Sequence, residues 1–158
     1  MKIKHIRIDG DLRNVSNTEI KGFYRLNEDV CVTINFTDGN IIDFIAKKGY
    51  YFDGASIPKS FEWFIKPDDP MLVVASFVHD ICFNWQFNTC EWAAELMYAV
   101  MRWHLRGIKK SFRRFKLKIK SRVIRRAVET RYAERLFNNP DIGDIVNRDF
   151  SNIKVLGK

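Results

Sequence analysis

The chain predicts an α+β fold: a small N-terminal antiparallel sheet of three or four strands, followed by three helices, the last long and basic. Three observations carry this expectation. Val30, Val32, Ile34 and Phe36 alternate with Cys31, Thr33 and Asn35, the two-residue period of a half-buried strand. Asp38-Gly39 separates that run from Ile41, Ile42, Phe44 and Ile45. Such a pair between two apolar runs signals a hairpin, because glycine enters the left-handed turn conformation at little cost. Further along, apolar residues group between helix start and stop signals instead of alternating.

The elements follow in order. Ile3, His5 and Arg7 alternate loosely with Ile6 and Ile8 as a first strand, and Glu19 to Leu26 reads as another. Gly49 to Pro58 is a loop that hands over to helices. Ser60 caps a short turn through Phe61-Glu62-Trp63-Phe64, ended by Pro67-Asp68-Asp69-Pro70. A helix then runs from about Met71 to Asn84. Asn88, with Glu91 three residues on, resembles a capping box and opens a second helix that lasts to Arg106, before Gly107. Ser111 caps a third, which reaches Phe137 and stops at Asn138-Asn139-Pro140. Residues 1–137 are expected to form one globular domain, with 138–158 as a C-terminal arm or tail.

Composition bounds the function. The 158 residues, 46% apolar, suffice for one ordinary core and are too few for two. Cys31, Cys82 and Cys90 form no paired framework and no C-x-x-C, which suits a reducing compartment and argues against structural zinc. No apolar run is long enough to span a membrane, and no signal segment opens the chain. The net charge of +8 is local. Twelve of the 27 Lys and Arg residues, and none of the 19 acids, lie between Arg102 and Arg126. In the third helix Phe112, Phe115, Ile119 and Val123 make an apolar stripe. Arg113, Arg114, Lys116, Lys118, Lys120, Arg122, Arg125 and Arg126 are expected to take the other faces and stay exposed. So many like charges repel one another unless an anion is near, which suits a polyanion or an acidic protein surface. The contact would be non-specific, since no zinc finger, RNP motif or helix-turn-helix signature is present.

A second set of residues could carry chemistry. Asp53 stands in Phe52-Asp53-Gly54-Ala55-Ser56-Ile57-Pro58, and His79-Asp80 sits at the centre of an apolar helix. Buried ionisable groups must find partners, bind a metal or shift their pKa. Asp53 is the expected partner of His79, and Glu95, on the next antiparallel helix, the second. His79 and Asp80 lie about 100° apart on the helix and are expected to point apart. The cluster is either a buried network that ties loop to helix or a ligand or catalytic site.

These motifs, with Ala94-Glu95-Leu96-Met97 and the residues through Met101, resemble a phage-associated family catalogued as domain of unknown function 1353, over roughly residues 49–107. The chain departs from the family pattern at Gly54, Phe83 and Glu95. The resemblance implies a bacteriophage or prophage origin and no activity. His79-Asp80-Ile81-Cys82-Phe83 is also similar to the His-Asp helix of secreted phospholipases A2, without their glycine-rich calcium loop or disulfides.

Two functions follow. The first is a non-catalytic virion or assembly component, without cofactor, that docks other phage proteins or nucleic acid through the basic helix, in the virion or host cytoplasm. The alternative is a small hydrolase with His79 as general base, supported by Asp53, Asp80 and Glu95. It would be phospholipase-like or assisted by a divalent cation such as calcium, held by Asp80 or Asp53.

Overall fold

A hairpin at residues 30–46 organises the sheet. In the computed structural model, which describes residues 1–18, 24–52, 70–109, 111–128 and 153–157, the elements are β1 (Ile3–Asp9), β2 (Val15–Asn17), β3 (Tyr24–Leu26), β4 (Val30–Phe36), β5 (Ile41–Ala46), β6 (Tyr51–Phe52), α1 (Pro70–Asn84), α2 (Cys90–His104), α3 (Ser111–Val128) and β7 (Ile153–Gly157). The fold is α+β. Four antiparallel strands in the order β1-β4-β5-β7 form the main sheet, and β2-β3-β6 form a smaller antiparallel one.

Strand β4 alternates as its sequence dictates. Val30, Val32, Ile34 and Phe36 are buried, and Val32 and Ile34 face Phe44 and Ile42 of β5. The turn closes through Phe36 N–H donating to the Asn40 carbonyl, with Gly39 at φ +96°. The loose alternation of β1 has a cause. Ile3 pairs with Phe36 but His5 with Asn35, so β1 carries one extra residue there. This bulge lets Ile3 and Ile6, three apart, both turn inward. Arg106 donates to the Ile3 carbonyl at 2.8 Å, and the Trp103 indole N–H approaches the Lys4 carbonyl at 3.4 Å, which pins the end of α2 to the bulge.

The helices cover the sheet, α1 against β5 and α2 against β1, and share one core with it. Phe44 and Phe77 are fully buried, each worth roughly 1.5–3 kcal/mol. The buried Tyr50 hydroxyl accepts from Asn84 at 2.8 Å, so burying it leaves no polar atom stranded. Helix α1 is apolar on most sides, as a core helix must be.

Several expectations are corrected. Helix α2 is capped by Thr89, not Asn88. Thr89 is extended (φ −123°, ψ 159°) and its hydroxyl accepts from Trp92 N–H at 3.1 Å, whereas Asn88 is left-handed at φ +71° and belongs to the preceding turn. Helix α2 ends at His104, and Leu105–Gly107 form a 3-10 turn. The small second sheet was not anticipated. The end of the expected tail forms β7, the edge strand beside β5. The expected strand residues 19–23, the Asp53 loop, the turn at Ser60–Phe64, the last part of the third helix and residues 138–152 lie outside the described residues.

Candidate functional site

Helix α1 has one partly polar stripe. Ser76, His79, Asp80 and Phe83 occur at steps of three and four residues, so they share a side of the helix. The opposite residues, Val74, Phe77 and Ile81, are buried, and so are Ala75, Val78 and Cys82 on the flank beside His79. His79 and Asp80 do not point apart as expected. His79 Nδ1 lies 3.5 Å from Asp80 Oδ1, at the outer edge of hydrogen-bond reach, with both side chains largely covered. Side-chain torsions close the gap that the 100° helical step opens. The His79 ring also lies on Phe83, with centroids 4.3 Å apart.

His79 Nε2 and the hydroxyl of Ser76 are each buried and meet no hydrogen-bond partner among the described residues. Burial pushes the His79 imidazole down to about 4, so the ring is neutral at pH 7 and a weak base. The Cys82 thiol is pushed up, first by burial and then by the Asp80 charge, which makes it a core residue and not a nucleophile.

The expected supports of His79 divide. Asp53 lies outside the described residues. Glu95 is placed elsewhere: it forms an ion pair with Arg125 of α3, and no hydrogen bond or ion pair joins it to His79. No group of three His, Cys, Asp or Glu side chains among the described residues could hold a metal ion.

The basic segment forms the second candidate. Among the described side chains of α3, Leu117, Ser121 and Ile124 are buried, and Ile119 is 40% exposed. Of the expected stripe, Ile119 is exposed and Val123 half-buried, and the side chains of Phe112 and Phe115 lie outside the description. Ser121 survives on the buried face because its hydroxyl donates back to the Lys118 carbonyl at 3.0 Å. Arg114, Lys118, Arg122 and Arg126, one turn apart, are all exposed and run along one side of the helix. Lys120 and Arg125 are half-buried, and the side chains of Arg113 and Lys116 lie outside the description.

Where α3 meets α2, Arg102, one turn on from Tyr98, and Arg125 of α3 gather on one phenol; spacing within α2 reveals the first contact and not the second. Arg102 donates to the Tyr98 hydroxyl at 3.4 Å, and the Arg125 guanidinium lies 5.3 Å from the ring centre. Burial alone would raise the Tyr98 phenol, yet the guanidiniums of Arg102 and Arg122 hold it below its usual value. No described helix is long and apolar enough to cross a membrane.

Comparison with known proteins gives one match. The family described as "Protein of unknown function (DUF1353)" matches residues 24–129, about two thirds of the chain. No curated protein and no solved structure matches it.

Proposed function

The chain belongs to the DUF1353 family, and we propose that it is a bacteriophage or prophage component, structural or concerned with assembly, that docks a polyanion on the basic side of α3. The observation that carries this reading is the exposed row Arg114, Lys118, Arg122 and Arg126. Each of its members faces water, and no acid interrupts the segment from Arg102 to Arg126. Gathering like charges on one side raises the local potential, which draws in DNA or an acidic phage protein and depends on salt. Packaged or host DNA is the first candidate, since phosphate contacts need no base-reading motif.

The test is binding of a short DNA duplex by the wild type and by a variant with Arg114, Lys118, Arg122 and Arg126 all changed to Glu. The wild type should bind at low salt and the variant should not, with melting temperatures nearly equal because exposed charges add little stability. Equal binding by the two proteins would reject the reading.

A second reading, a small hydrolase acting through His79, is favoured by the unpartnered Nε2 and Ser76 hydroxyl. Its weakness is the imidazole itself. A base near pKa 4 lies far from the operating range of general-base catalysis at pH 7. Esterase or lipase activity in the wild type that disappears in His79→Gln, with or without added calcium, would establish it.

A further inference from the structure

We propose that the free edge of β7 pairs with β7 of a second copy of this chain, antiparallel about a two-fold axis at Val155. The two main sheets then become one. The two edges of the main sheet are treated differently. Unpaired backbone N–H and C=O groups on an edge invite another strand, and proteins blunt the edges that must stay free. The β1 edge is blunted. It carries a bulge between Ile3 and His5, and exposed charges at Lys4, Arg7 and Asp9. The carbonyls of Ile3 and Lys4 are already taken by Arg106 and Trp103. The β7 edge has no such bulge. Its five residues, Ile153–Gly157, run in unbroken register with β5, and no strand among the described residues pairs with their other side.

The described side chains agree. Val155 pairs with the buried Phe44 and so stands on the core face, yet it is only half-buried. Leu156, opposite Asp43 on the other face, is 36% exposed. Each face of the strand thus carries an apolar residue short of cover. Register says what covers them. Residues alternate between faces, so a two-fold axis through the sheet that keeps core face with core face must be centred on a residue. Centring on Lys154 opposes two lysines, and centring on Leu156 sets Lys154 against Lys158. Like charges directly opposed destabilise a pair of strands. Centring on Val155 opposes valine to valine, sets Leu156 of each copy against Lys154 of the other, and pairs all five residues. The lysine that guards the edge against other registers admits this one, so β7 is complementary to itself.

The test is disulfide trapping in the full chain, with Cys31, the one cysteine that is not buried, changed to Ser. Directly opposed residues of an antiparallel pair lie within the Cα separation that a disulfide spans, and diagonal ones lie beyond it. Val155→Cys should therefore form covalent dimers on mild oxidation. Lys154→Cys and Leu156→Cys should not do so alone, yet should cross-link to each other when mixed. Sedimentation equilibrium over a concentration series should show the wild type passing from monomer to dimer. Leu156→Lys should weaken that dimer about tenfold by opposing lysines, and Lys154→Glu added to it should restore the dimer. Thermal melts confirm that each variant is folded. A wild type that stays monomeric throughout would overturn the proposal, and so would a Leu156→Lys variant that dimerises as tightly as the wild type. Leu156→Cys trapping alone as readily as Val155→Cys would overturn the register. Neither readout involves DNA, so failure here leaves the polyanion reading in place.

Discussion

At His79 the physical chemistry makes a pH prediction with a definite sign. The folded pKa, about 4, lies below the ordinary 6.5, so the unfolded chain binds the extra proton between those values. This group therefore imposes no cost above about pH 6.5 and destabilises the fold progressively as pH falls toward 4. The loss is up to about 3 kcal/mol, at ~1.4 kcal/mol per unit. Urea unfolding at several pH values should show a steeper acid loss for the wild type than for His79→Gln, and identical slopes would show the ring to be solvated. A second residue-scale prediction concerns Gly10. It sits at φ +92°, and a Cβ there would lie 2.5 Å from the Asp29 carbonyl oxygen. Gly10→Ala should cost about 1–3 kcal/mol in urea unfolding, since neither the backbone angle nor the contact can be kept. The need for an ionisable cluster on α1 was legible from His79-Asp80 in an apolar run. The direction of the two side chains was not, because helical angle places Cα–Cβ bonds and leaves torsions free.

Element by element, legibility followed the clarity of the local signal. The β4–β5 hairpin was readable because alternation and Asp38-Gly39 agree, and β1 was blurred because its bulge shifts the period in mid-strand. The start of α2 was misread by one residue, since Asn88 and Thr89 are both capping types and only backbone conformation separates them. Thr89→Ala should therefore destabilise the protein by about 1 kcal/mol, and Asn88→Gly by only a few tenths or not at all. A melt comparison checks this, and the reverse order would restore Asn88 as the cap. Helix α3 offers two apolar stripes, which periodicity alone does not rank. The larger one by sequence contains Ile119, which is exposed, and the buried one is thinned by Ser121.

For the whole molecule, the α+β class was legible because composition, alternation and stop signals agree, whereas β7 was not. Its pairing with β5 joins residues more than a hundred positions apart, and such long-range contacts leave no periodic trace in a short terminal run. Removing residues 153–158 should lower the unfolding midpoint and increase aggregation, because β5 would become an exposed edge. Light scattering during a thermal ramp would record it, and an unchanged ramp would show that β7 adds nothing to the sheet. The basic segment, by contrast, was fully legible as charge, and its surface arrangement joins the fold to the proposed role. The measurement that tests that role most directly is the dependence of duplex DNA affinity on salt. With four exposed basic residues in contact, log K should fall with log salt at a slope of about −3 to −4, since each phosphate contact contributes roughly −0.9. A slope near zero, or no binding at low salt, would contradict the account and leave α3 a solvated face.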